Sequence, residues 1–411
     1  MRRSGLIILY IMVVWFVISF VTNLLGPLMP ILIGDFHLSL GLAGFLPFSF
    51  FLAYGLISIP AGALVEARGP RTTLLAAFSL NLAGCAAISF HPTYALVITG
   101  LFVIGLGMAM LQVVINPLMR TTGGEAHFAF FSVMGQLVFG FASYVSPLIF
   151  EAMMRQPAAA QQPLMWVKFY WAFVAVFVLL ILTTRWLSLP RVDLTASERS
   201  GGFQVYKLLI GQPRVQLFFL GIVAYVGTEQ SLANWMSVFL STYHHYSPTQ
   251  EGAHAVGLFW GLMSIGCLLG LVLLKLLDSR IVLGAFTVLA LVCTGLALYG
   301  PPEVSLAAFP ATGFFLSVMF SIVFSLALNS LSEHHGAFSG ILCTGILGGA
   351  VVPELVGILG DRFGLRVAML TVFVTLGYIF SVSLWARPLV RNETVSLAEL
   401  VSLRGRRRAH D

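Results

Sequence analysis

The chain has 411 residues, 58% of them hydrophobic and only 9% charged, with a mean hydropathy of +0.95. A soluble domain carries about 25% charged residues, so this chain cannot cover a water-facing surface and lipid is its natural solvent. The net charge of +6 does not point to nucleic acid, because most Arg and Lys residues fall in short gaps between apolar stretches.

The N-terminus opens with Arg2 and Arg3 and then runs apolar from Leu6 to about Pro30. That run is too long for the apolar core of a signal peptide and no clear small-residue cleavage site follows, so it is expected to be a retained first span. Further apolar stretches occupy 40–65, 72–90, 94–118, 127–152 and 164–187, after a first at 6–29. After a polar break they resume at 215–240, 253–277, 281–299, 304–331, 337–360 and 364–388. Each is long enough to cross a bilayer, which takes about 20 residues as a helix. In hydrocarbon a helix satisfies every backbone group within the segment. The expected fold is all-α, with twelve transmembrane helices in two pseudo-symmetric six-helix bundles.

The polar break gives the domain plan: an N-terminal bundle over 1–187, a linker over 188–214, a C-terminal bundle over 215–390 and a basic tail over 391–411. With the N-terminus cytoplasmic and twelve crossings, only Arg155, Lys168, Arg362 and Arg366 fall on the outer face, leaving 18 of the 22 Lys and Arg inside. The positive-inside rule requires such a bias, and an error of one span would scramble it. Both termini are therefore expected in the cytoplasm of a bacterial inner membrane.

Cys85, Cys267, Cys293 and Cys343 lie inside apolar stretches and form no CxxC pair, which supports neither a disulfide framework nor a zinc site. No phosphate-binding G-x-x-x-x-G-K-[ST] and no G-x-S-x-G elbow occurs. No metal or cofactor is expected, and an enzyme is disfavoured.

Two acids sit well inside predicted spans, Glu229 and Glu354. A carboxylate near mid-membrane costs several kcal/mol unless paired or protonated, which makes Glu229 a candidate for carrying a proton. The structural alternative is a permanently neutral Glu229 hydrogen-bonded to a neighbouring helix. Glu354 lies nearer the outer face, either as a second titrating site or as a partner for Arg362 or Arg366, and pairing is the preferred expectation. Gln112 and Asn116 are four apart, as are Gln230 and Asn234, so each pair shares a helical face. Asn23, Gln136 and Asn329 add further amides within predicted spans. Amides both donate and accept, which suits the hydroxyls of a neutral sugar. They equally suit bonds between helices. Of the aromatic residues, Trp235 and Trp260 are the candidates for stacking on a sugar ring; Phe48, Phe51 and Tyr54 are weaker ones.

Four motifs carry a resemblance. Gly62-Ala-Leu-Val-Glu66-Ala-Arg68-Gly69-Pro-Arg71 resembles the G-x-x-x-D-R-x-G-R loop of the major facilitator superfamily, with Ala67 and Pro70 at the two Arg positions. Met110-Leu-Gln112-Val-Val-Ile-Asn116-Pro117 and Tyr225-Val-Gly227-Thr-Glu229, continuing to Trp235, resemble elements of the fucose–galactose–glucose:proton symporters. Gly348-Gly349 through Pro353, Gly357 and Asp361 resembles a third element of that family.

The resemblance implies a monomeric, proton-coupled sugar importer working by alternating access, with the sugar and a proton as its partners. It implies a gating role for Gly62, Glu66, Arg68, Gly69 and Arg71. One departure stands out, because the fucose permease branch carries acids where this chain has Gly26 and Gln112. An uncoupled or sodium-coupled carrier, or an exporter of a more apolar solute, therefore stays open.

Overall fold

A computed structural model of the protein describes residues 2–123, 128–155, 164–190, 203–331 and 335–389. Among the described residues, twelve helices are long and apolar enough to cross a membrane. Spans 1 to 6 are Gly5–Phe36, Leu40–Val65, Ala67–Phe90, Tyr94–Ile115, Leu137–Met154 and Val167–Trp186. Spans 7 to 12 are Pro213–His244, Pro248–Leu276, Ser279–Tyr299, Pro302–Leu328, Ala337–Phe363 and Leu365–Trp385. A short helix, Phe203–Ile210, precedes span 7. The fold is all-α, two six-helix bundles side by side, as the hydropathy pattern predicts.

Several spans extend past their predicted ends, and three are broken near the middle. Span 1 breaks at Leu24, between helices Arg2–Asn23 and Leu25–Phe36. Pro27 follows the break and has no N–H to return to the preceding turn. Span 10 breaks between Leu316 and Met319, and span 11 passes through a tight turn at Gly345–Leu347. Broken backbone is tolerated at membrane depth only where it is buried in protein or lines a cavity, and such breaks frame the binding sites of secondary transporters.

Spans 2 and 3 meet at Gly69, whose φ of 79° lies in the left-handed region that glycine occupies without strain. Pro70 then opens the next helix, where its missing N–H is no loss. Arg71 donates from Nη2 to the carbonyl of Arg185 at the end of span 6. The second bundle repeats the device. Arg280, at the start of span 9, donates from Nε to Ser383 O at 2.9 Å and from Nη2 to Leu384 O at 2.8 Å, at the end of span 12. A cation at a helix C-terminus satisfies carbonyls left without an intrahelical donor and opposes the negative end of the helix dipole. The bundles are thus related in their electrostatics as well as in their helix order.

The bundles touch unevenly. At the end where span 2 begins and span 11 finishes, Asp361 accepts from Leu40 N and Gly41 N, both at 2.7 Å. Near that end Gly26 of span 1 packs on span 7, so closely that a Cβ there would lie 2.6 Å from Ala233 O. Spans 5 and 8 meet through Tyr144 against Gly257 and Gly261, and through Glu151, whose carboxylate lies 3.5 Å from His254 Nδ1.

Toward the opposite end, which carries the Gly69 turn, span 8 exposes Cys267, Leu268 and Leu269 in succession. Successive helical residues point about 100° apart, so three in a row cover more than the one side a bundled helix shows to lipid. Contacts between the bundles at the Asp361 end hold that end together.

Candidate functional site

The centre of the molecule is built on span 7. Glu229 sits near the midpoint of Pro213–His244, accepting a hydrogen bond from Gln230 Nε2 at 3.0 Å. The Tyr225 hydroxyl, one turn earlier on the same face, lies beside this carboxyl. No ion pair to Glu229 is found among the described residues, where the ion pairs are those of Glu151 with Arg155 at 2.6 Å and with His254. The Glu229 carboxyl therefore has polar neighbours but no fixed countercharge.

Gln230 packs against Gly349 of span 11, which also faces the ring of Phe51 in span 2. One turn on, Asn234 is buried with an amide nitrogen that has no hydrogen-bond partner. Trp260 of span 8 likewise holds a buried, unpartnered indole N–H and stands edge-on to Phe259 at 5.3 Å. Buried donors without partners are rare, because each carries a desolvation penalty of about 1–3 kcal/mol. Across the centre, Gln112 Nε2 donates to the Tyr54 hydroxyl at 3.3 Å, and Thr22 of span 1 lies beside that phenol. Spans 1, 2 and 4 are thereby joined at the same depth as the break in span 1.

The other candidates divide. Asn23 is buried and its amide nitrogen donates to Ser19 O and Ser143 Oγ, both at 2.9 Å, so it ties span 1 to span 5. Trp235 is fully buried and donates from Nε1 to Pro353 O at 3.0 Å, leaving no free ring face for a ligand in this conformation. Its role here is a strut between spans 7 and 11. Asn329 lies beyond the end of span 10, as the C-cap of helix Met319–Leu328, and its carbonyl accepts from Leu389 N at 2.7 Å. It stands apart from the central cluster, because it follows the last residue of the span, beyond the break at its middle. The side chains of Asn116, Gln136 and Glu66 lie outside the described residues.

Glu354 departs most from expectation. It is buried, and both carboxyl oxygens lack a hydrogen-bond partner. Pairing with Arg366 is overturned, because that guanidinium stands over the rings of Tyr243 at 4.5 Å and Phe239 at 5.7 Å. No ion pair with Arg362 is found among the described residues. Glu354 instead packs on the backbone of span 2 at Gly44.

Of the turn residues, Gly69 supplies the left-handed kink and Arg71 the bond to span 6, while Gly62 and Arg68 have no comparable fixed contact. Sequence reasoning passed over Tyr225 as a partner of Glu229, although the spacing of four on one helix shows it. It also passed over Ser143, whose signal exists only in the tertiary contact.

The sequence profile of the Major Facilitator Superfamily matches residues 11–353. This chain belongs to the Major Facilitator Superfamily. It is a multi-pass membrane transporter and not an enzyme. The glucose/galactose transporter of Brucella abortus is 30% identical over 395 residues, covering 92% of this chain and 93% of that protein. The L-fucose-proton symporter of Escherichia coli is 24% identical over 386 residues, covering 85% and 86%.

Among solved structures, the E. coli fucose:proton symporter superposes with a TM-score of 0.66 at 19% identity, over 94% of this chain and 100% of that one. A bacterial homologue of the human lysosomal transporter Spinster superposes with a TM-score of 0.72 at 14% identity, over 94% and 97%. Both show the fold.

Proposed function

We propose that this chain imports a neutral monosaccharide of the glucose, galactose or fucose class together with a proton, by alternating access across a bacterial inner membrane. Glu229 carries the reading. It is an acid near mid-span with a tyrosine and an amide for neighbours and no countercharge among the described residues, an arrangement suited to gaining and losing a proton. The amide nitrogen of Asn234, the indole N–H of Trp260, and Gln230 beside Glu229 supply donors of the kind sugar hydroxyls accept. Gln112 adds an amide from the first bundle; Asn116 and Gln136, the further amides expected there, have side chains outside the described residues. The names of the relatives point to the same substrate class.

The bias of Lys and Arg places the Gly69 turn, both termini and the 188–214 linker in the cytoplasm. The end joined by Asp361 is then the outer one. Import proceeds as the bundles rock about the central site, with the 62–71 turn as a hinge on the inner side. The carrier acts as a monomer in the bilayer, with no nucleic acid partner.

A second reading, an uncoupled carrier, draws on Gly26 and Gln112 standing where the fucose permease branch has acids. Gly26 has no room for one in this conformation, since even a Cβ would press on Ala233 O. Uptake into liposomes of a panel of labelled sugars, with and without a proton or sodium gradient, tests the proposal. Accumulation of a hexose driven by an inward proton gradient is expected. Equilibration without accumulation would favour the uncoupled carrier, and no uptake of any sugar would refute the substrate class.

A further inference from the structure

Two acids of span 11, Glu354 and Asp361, lie seven residues apart on one helical face with Gly357 between them, and all three meet span 2. The interface treats the two carboxyls in opposite ways. Asp361 lies at the N-terminus of span 2, where the first N–H groups of a helix have no intrahelical acceptor. It takes two of them, from Leu40 and Gly41, and its charge faces the positive end of the helix dipole.

Glu354 lies two turns earlier on span 11 and meets span 2 about one turn deeper, at Gly44. There the N–H groups of span 2 are already bonded within the helix, so none is available to a carboxylate. A Cβ on Gly44 would lie 2.5 Å from Glu354 Oε2 and 3.0 Å from its Cα, which shows how closely the two backbones approach. Both oxygens are buried, and neither has a partner.

Among the described residues, no cation pairs with the Glu354 carboxyl. Span 2 offers no titratable group between Leu40 and Phe51. Toward the outer side of this contact, the ionisable groups on the elements packed around it are Asp361 and Arg362 of span 11, Arg366 beyond it, Tyr94 of span 4, and Tyr243, His244 and, deeper, Glu229 of span 7. Tyr94 donates its hydroxyl to Leu42 O at 2.5 Å, and Arg366 is engaged with the Tyr243 and Phe239 rings. A carboxylate stripped of water, without a donor, and on the same face as the charged Asp361 is not a stable occupant of this contact. A carboxylic acid is.

We propose that Glu354 is a proton-binding site of the outer gate: spans 2 and 11 close on each other only when it is protonated. A proton is then taken from the outer solution while the spans are apart and is buried between them as that side seals. The sign follows directly. The closed form holds the protonated acid, so acid favours closure, and closure is lost as pH rises. The idea rests on the topology proposed above but not on the nature of the solute or on Glu229, so the two can fail separately.

The test measures the gate without any transport. Nitroxide labels are placed at Gly34→Cys and Phe363→Cys, exposed positions at the outer ends of spans 1 and 11. Cys85, Cys267, Cys293 and Cys343 are replaced by alanine, and label-to-label distances are recorded in lipid nanodiscs from acid to alkaline pH. The ratio of short to long distances should fall about tenfold per pH unit above the midpoint of the acid. Glu354→Gln, a neutral isostere, should keep the short distance at every pH.

Asp361→Asn should lower the short population while retaining the pH response, and so serves if Glu354→Gln does not fold. Glu229→Gln should retain the response as well. A wild-type ratio independent of pH would overturn the proposal. So would a Glu354→Gln variant with the wild-type response, or loss of the response in Asp361→Asn or Glu229→Gln.

Discussion

The two ends of the molecule are held by different chemistry. At the Gly69 end, arginines reach carbonyls at helix termini inside their own bundle: Arg71 binds Arg185 O, and Arg280 binds Ser383 O and Leu384 O. These contacts stiffen each bundle and make no bond between the two. At the Asp361 end the contacts run between bundles: Asp361 on Leu40 and Gly41, Glu354 on Gly44, and Gly26 on Ala233. Lipid supplies no hydrophobic force between helices, so closure must come from close backbone approach at small residues and from polar bonds. The difference shows how one scaffold stays rigid within each half and switchable between halves.

Substitutions can break that contrast, and the largest effect is expected at Gly26. Gly26→Asp would drive a side chain into Ala233 O, and overpacking of ~1–3 kcal/mol would hold the outer side open. Sugar uptake should fall by about 5- to 150-fold while the protein still purifies as a monodisperse species. Gly44→Ala comes next. Its new methyl meets Glu354, whose carboxyl end can move but whose backbone cannot, so a loss of uptake of several-fold is expected. If either variant transports at the wild-type rate, the outer interface is looser than described.

Asp361→Asn should be milder. The amide keeps one acceptor but no charge, and the loss of about 1 kcal/mol corresponds to a shift of roughly fivefold between closed and open forms, read from label distances. Trp235→Phe should have the smallest effect on transport. It removes the indole bond to Pro353 O inside the second bundle, a carbonyl that keeps its acceptor role within its own helix, at about 0.5–1.5 kcal/mol. A Tm lowered by a few degrees with an unchanged apparent affinity for sugar is expected. A large rise in KM would instead return Trp235 to the binding site.

Much of this architecture was legible in the residues themselves. The twelve spans follow from apolar runs of sufficient length, and Gly69-Pro70 marks its own turn. Glu229 announces itself as an acid in an apolar run, and Tyr225 four residues earlier could have been read beside it. The breaks in spans 1, 10 and 11 were not legible, because a proline or glycine in a membrane helix is compatible with a straight path as well as a broken one.

Partner choice was hidden as well. Arg366 looked available to Glu354 by spacing, yet it is taken by the rings of Tyr243 and Phe239 on span 7, which the sequence does not place nearby. Amides divided in the same way: Asn23 is used between helices and Asn329 caps one, while Asn234 keeps an unpartnered donor in the core. Composition marks these residues as candidates, but only tertiary contact decides which remain open to a ligand.

Coupling at Glu229 is the central claim, and proteoliposome transport with Glu229→Gln tests it most directly. An inward proton gradient should drive accumulation of sugar by the wild type and none by Glu229→Gln. Exchange of labelled for unlabelled sugar, which needs no net proton movement, should persist in the variant. Accumulation by Glu229→Gln in response to the gradient, at the wild-type level, would contradict the account.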